Sequence, residues 1–183
     1  TSEFSSKNYF SRVTISPDRG SVNISNGADE TIIDLNLWIM FFAAWLMSSE
    51  TNSSGHYEFY SDEDMDFNLE FLREADNGVL GISKIKEHSS QDHETYVIKE
   101  GPVYSYLKSL NISTYMDRYL PSWVWLLNNS ECIMFISDLF NCSYFSRNPY
   151  YSSALADDIQ RLMLHCGMSG KKVLVPDASE KLY

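Results

Sequence analysis

Apolar residues recur along this chain at two different spacings. From Leu35 to Met47 the run Leu-Asn-Leu-Trp-Ile-Met-Phe-Phe-Ala-Ala-Trp-Leu-Met carries no charge and is apolar nearly all round. Crossing a bilayer takes about 20 such residues, and a shorter run belongs to a core helix. Thr31 followed three residues later by Asp34 matches a capping box, in which hydroxyl and carboxylate answer the free amides of a first turn. The pattern predicts a buried helix from about Thr31 to Ser48.

Around that helix the period shortens to two. Tyr9 to Ile15 and Ser21 to Ser25 flank Pro17-Asp18-Arg19-Gly20, a strong turn signal, and predict an opening hairpin. Met65, Phe67, Leu69 and Phe71 alternate with Asp66, Asn68 and Glu70, which predicts a strand with one core face and one acidic face. With Tyr57 to Tyr60 before it, a turn at Asp76-Asn77-Gly78, then Val79 to Lys86 and Glu94 to Lys99, it reads as an antiparallel meander. Gly101-Pro102 opens a helical region that Pro121 breaks. Trp123 to Leu127 and Cys132 to Ser137 read as two strands around an Asn128-Asn129-Ser130 turn. Leu155, Ile159, Leu162, Met163 and Cys166 return to helical spacing, with Ser152 or Ser153 to cap the start and Gly167 to stop it. A short strand from Lys172 to Val175 closes the pattern. The expected fold is α+β: residues 1–183 as a single domain, a largely antiparallel sheet packed against two or three helices.

Size and composition agree with that fold. A chain of 183 residues with 44% hydrophobic and 14% aromatic content can bury one sizeable core. Its net charge of −11 comes from scarce Lys and Arg, since the 21% charged content is ordinary. Much of the excess sits in one stretch, where Glu58, Asp62, Glu63, Asp64, Asp66, Glu70, Glu74 and Asp76 are answered by Arg73 alone. Such a surface repels nucleic acid and anionic membrane and steers a cationic protein toward it. Cys132, Cys142 and Cys166 cannot all pair within one chain and form no C-x-x-C, which fits a reducing compartment. The opening Thr-Ser-Glu-Phe lacks the basic and apolar regions of a signal peptide, so a cytoplasmic location is expected. Asn-x-Ser sequons at Asn23, Asn52, Asn111, Asn128 and Asn141 keep a secreted glycoprotein in view.

Catalytic signatures are weak. Gly-Met-Ser-Gly-Lys-Lys from Gly167 lacks the first Gly and the terminal Ser or Thr of a phosphate loop, and it follows a helix. His88, Asp92, His93 and Glu94 share a polar loop whose spacing matches no zinc pattern, so neither metal nor cofactor is expected. His165 and Cys166 are neighbours on a helix and point about 100° apart, so Cys166 reads as a buried structural thiol. No catalytic residue is assigned. The acids are instead set among aromatics, and Tyr buries area at low entropic cost at interfaces. Asp62, Glu63, Asp64, Asp66, Glu70 and Glu74 are therefore the expected steering charges, with Tyr57 and Tyr60 as contact anchors.

The strand Ser21-Val-Asn-Ile-Ser25, the acidic link Asp29-Glu30, Leu35-Asn-Leu-Trp38 with Trp45, and a meander of the Phe59 to Lys86 type together resemble bacterial immunity proteins. Within that group the likeness is to the small α+β antidotes of contact-dependent growth-inhibition toxins, and it covers Ser21 to Lys99. It implies a cytoplasmic, non-enzymatic inhibitor that occludes the active site or substrate surface of one basic toxin domain. Nuclease toxins need basic surfaces to hold phosphates, so charge points to the same partner class. Two other readings stand beside it: a small intracellular hydrolase that uses the carboxylates, and a secreted glycoprotein that binds a host factor.

Overall fold

A computed structural model of the protein describes residues 11–27, 29–52, 54–60, 72–73, 75, 77–85, 95–112, 114–142 and 152–171. Three strands open it: β1 (Arg12–Ile15), β2 (Ser21–Asn26) and β3 (Asp29–Asp34), antiparallel in the order β1-β2-β3. The predicted hairpin is present. Its turn places Arg19 at φ 59, with the Arg19 amide donating to the Ser16 carbonyl at 2.9 Å. Val22, Ile24 and Ile33 face the core, as alternation requires.

Helix α1 (Leu35–Ser48) starts later than the capping box predicts. Thr31 to Asp34 finish β3 instead, with Ile33 opposite Val22 and Asp34 opposite Ser21. The β-branched run Thr31-Ile32-Ile33 suits a pleated strand better than a first helical turn. Asp34 is the true cap, its Oδ1 accepting the Asn36 and Leu37 amides at 2.9 and 3.0 Å. The helix is buried on nearly every side. Trp38, Phe41, Phe42 and Trp45 form a chain of rings along it that extends to Tyr57, Tyr106, Trp123 and Phe135.

A second antiparallel sheet follows: β4 (Ser49–Thr51), β5 (Tyr57–Tyr60), β6 (Ile82–Ile85) and β7 (Thr95–Ile98), in the order β4-β5-β7-β6. Three of the four strands predicted for the meander are therefore present, but among the described residues β5 pairs with β7 and not with β6, so their order is not that of a meander. The Met65 to Phe71 strand lies outside the described residues, and Leu72, Arg73 and Ala75 beyond it are helical.

Helix α2 (Pro102–Ser109) begins at the predicted Gly101-Pro102 and packs on β2 and β3. Two short 3-10 turns come next, Tyr115–Asp117 and Ser122–Leu126. The second of these turns and helix α3 (Asn129–Asn141) replace the two strands expected around Asn128. Asn128 forms a capping box with Glu131, accepting its amide at 3.0 Å and donating its own amide to Glu131 Oε2 at 2.8 Å. Cys132, Phe135, Ile136 and Leu139 thus recur every three or four residues and are buried. Helix α4 (Ser153–His165) is capped by Ser152 as expected, and Gly167 stops it at φ 73. The predicted strand from Lys172 to Val175 lies outside the described residues.

The fold is α+β, with α1 at its centre, touching both sheets and α3. The end of α1 is closed by Arg118, which is 4% exposed. Its guanidinium donates to the Met47 and Ser49 carbonyls, each at 2.8 Å. A buried helix end leaves carbonyls without partners, and a cation there also meets the negative end of the helix dipole. The Arg118 carbonyl accepts the Ser152 hydroxyl at 2.7 Å, and the Leu120 amide donates to Asp158 Oδ2 at 3.0 Å, so the same short segment also anchors α4.

Candidate functional site

Of the expected acidic and aromatic contact residues, Tyr57 is the one whose side chain is described. Asp62, Glu63, Asp64, Asp66, Glu70 and Glu74 lie outside the described residues. Tyr57 is described and belongs to the core: it is 6% exposed, stacks edge-on against Trp45, and donates its hydroxyl to the Leu107 carbonyl at 3.3 Å. Burial pushes its phenol up to about 12. Tyr60 lies on β5 opposite Thr95. Tyr57 and Phe59 alternate with Glu58 on β5, and both of these rings are buried in the core.

Other sequence-level candidates resolve simply. Cys166 is buried and donates its thiol to the Leu162 carbonyl at 3.0 Å, while the adjacent His165 is exposed. His56 stands beside the Tyr104 ring with centroids 6.0 Å apart. Neither imidazole is set against a hydroxyl or thiol nucleophile among the described residues. His88 and His93 lie outside them. Among the described residues no cluster of His, Cys, Asp or Glu is arranged to hold a metal, and no helix is long and apolar enough to cross a membrane. The Gly167 to Lys171 part of the Gly-Met-Ser-Gly-Lys-Lys segment folds back on α4, where the Met168 amide donates to the Met163 carbonyl at 2.8 Å and Gln160 donates to the Gly170 carbonyl at 2.9 Å. It is a helix ending. Both ends of the Asn128 amide are taken up by the capping box, so that sequon is closed to modification in the folded state.

What the structure does assemble is a cavity of about 560 Å³ beside β1. Its walls come from Ser11 to Val13, the end of α2 with Tyr106 and Leu110, and the Tyr119 to Leu126 segment. Arg12 is exposed and Val13 half-buried, as expected of neighbours on opposite faces of a strand. Both line one cavity, which therefore lies along the side or end of β1 and not under one face. Among the described residues β1 pairs with β2 alone. The Ser122–Leu126 turn stands next to it.

The cavity is amphipathic. Leu126 is 64% exposed within its wall and supplies an apolar rim. Tyr119 donates its hydroxyl to the Leu110 carbonyl at 3.0 Å, tying the two far walls together. Burial raises the phenols of both Tyr106 and Tyr119, so they remain neutral donors at physiological pH. Trp123 is 2% exposed, and its indole N–H has no hydrogen-bond partner among the described residues. It approaches the Tyr106 oxygen closely enough to oppose that rise, yet outside hydrogen-bond geometry. Nothing in the sequence brings these residues together, since they come from a strand, a helix end and a turn over 90 residues beyond the strand.

No family model matches the chain, and no solved structure does. The chain is similar to the ATP-dependent Clp protease proteolytic subunit of Chlamydomonas moewusii, with 25% identity over 147 residues that take in 73% of the chain and 14% of that relative. The chain thus matches about one seventh of the relative's length. This similarity overturns the expectation of a non-enzymatic immunity protein whose partner is a basic nuclease toxin, because the relative is a protease subunit. The antidote resemblance rested on strand and helix order, which many α+β folds share.

Proposed function

We propose that this chain is a folded module of the polypeptide of an ATP-dependent proteolytic subunit, and that it serves there by holding extended peptide. The observation that carries the reading is the 147-residue similarity to such a subunit. The structure adds a cavity of a size typical for ligand sites beside β1, one side of which has no partner strand among the described residues. A strand with a free side is the usual template for an added peptide, with main-chain hydrogen bonds supplying affinity and neighbouring pockets supplying selectivity. Cys132, Cys142 and Cys166 are all free and buried, which supports a reducing compartment such as the cytoplasm.

The test is to isolate the native protein with an antibody against this chain, identify the recovered polypeptide by mass spectrometry, and assay degradation of an unfolded fluorescent protein with and without ATP. ATP-dependent degradation in the eluate, with this sequence inside the subunit, is the expected result. Recovery of this sequence in a polypeptide without such activity refutes the proposal.

A further inference from the structure

The chemistry of the cavity is more specific than peptide binding in general. Arg12 is the only cation on its walls among the described residues. It is exposed, and among the described residues it has no ion-pair partner. In a chain of net charge −11 an unpaired guanidinium beside walls that are otherwise neutral among the described residues marks where one negative charge is tolerated. Guanidinium matches a carboxylate with two parallel N–H donors. The apolar rim at Leu126 and the ring of Tyr106 suit a side chain next to that carboxylate.

We propose that the cavity binds the carboxy-terminal end of an extended peptide, which pairs with the side of β1 that has no partner strand among the described residues and sets its terminal carboxylate against Arg12. The inference rests on the peptide-holding role above and names its ligand. Peptide ends are what proteolysis generates, so a site of this kind retains cleaved products or free chain ends. The peptide backbone satisfies the outward groups of β1. Its last side chain lies against Leu126 and Tyr106, and a cavity of about 560 Å³ accommodates only the last few residues.

Calorimetric titration of the full chain tests this, with acetyl-Thr-Val-Thr-Leu as the free acid, the same peptide as its carboxy-terminal amide, and acetyl-leucine as probes. The free acid is expected to bind roughly tenfold more tightly than the amide, the low end for a charged hydrogen bond at an exposed Arg. Acetyl-leucine is expected to bind more weakly than the tetrapeptide, since it cannot pair with the strand. Arg12→Gln is expected to bring the acid down to the affinity of the amide with an unchanged unfolding temperature, because Arg12 is exposed. Equal affinity for acid and amide, an unaltered acid affinity in Arg12→Gln, or no heat from either tetrapeptide each overturns the proposal. Acetyl-leucine matching the tetrapeptide overturns the strand pairing. These results are independent of which polypeptide the antibody recovers, so a failed site and a failed subunit assignment are told apart.

Discussion

Replacing Arg118 with Met removes the two 2.8 Å hydrogen bonds that close the buried end of α1. Met retains most of the aliphatic volume, so the change isolates the guanidinium. Each hydrogen bond from a charged donor is worth about 1.5–3 kcal/mol net, and the abandoned carbonyls of Met47 and Ser49 add a desolvation cost. Part of that gain is offset in the native protein by the cost of burying the cation, which Met does not incur. The net expected loss is about 3–5 kcal/mol, a large share of the roughly 5–15 kcal/mol that separates folded from unfolded domains. In urea denaturation followed by tryptophan fluorescence, with a slope of about 2–3 kcal/mol per molar, that loss lowers the midpoint by more than about 1 M. Arg118→Lys keeps the charge but presents a point donor, so it is expected to recover about half of the loss. A midpoint shift below about 0.3 M in Arg118→Met refutes the assignment of the guanidinium as the closure of α1.

Asp138 is half-buried, its Oδ2 has no hydrogen-bond partner, and burial pushes its carboxyl up to about 6. Its folded pKa lies above the unfolded value, so its contribution favours folding at low pH and is lost as pH rises from about 4 to about 6. Asp138→Asn is expected to stabilise the protein above pH 6 by about 1–2 kcal/mol, discounted because the carboxyl is only half-buried, and to change little at pH 4, as read from urea midpoints across pH. Glu131 has the opposite sign: its hydrogen bonds with Arg19, and then with the Asn128 amide, hold its carboxyl below the usual range. That stability is present above the unfolded carboxylate pKa and is lost as pH falls through the folded one. Glu131→Gln is expected to cost about 1–2 kcal/mol at pH 7, discounted because the Arg19 side chain is 37% exposed, and to flatten the acid limb of the stability curve. Burial pushes the Cys132 and Cys142 thiols up to about 12, so iodoacetamide at pH 8 is expected to spare them in the native protein and to label all three cysteines in urea, scored by intact mass.

Local pattern decided the elements well where one period dominated. Alternation at Val22 and Ile24 and the 3–4 spacing of Leu155, Ile159 and Leu162 each led to the observed strand or helix. It failed where two signals overlapped. Thr31 and Asp34 have the spacing of a capping box, but pairing of Ile33 with Val22 holds those residues in β3. Cys132 to Ser137 is rich in residues that strands also favour. The deciding signal was Asn128 three residues ahead of Glu131, a genuine capping box that went unread. The acidic run gave a charge density without a geometry. Charge counts along a chain say nothing about whether neighbouring aromatics point inward, and Tyr57 and Phe59 do.

The cavity was illegible for a different reason. Its walls are distant in sequence, and what brings them together is one buried cation that no periodicity marks. Arg118 ties the end of α1 to the segment that runs into Tyr119 and Pro121, two residues of the cavity wall. Tyr119 then reaches back to the Leu110 carbonyl, and Asp158 holds the Leu120 amide. The wall facing β1 is therefore positioned by the helix closure itself. It follows that Arg118→Lys, if it restores half of the stability, also partly restores affinity for the tetrapeptide acid, although Arg118 does not line the cavity. Loss of stability in Arg118→Met with undiminished peptide affinity at a temperature where the variant is folded would instead show that the wall is held by Tyr119 and Asp158 alone.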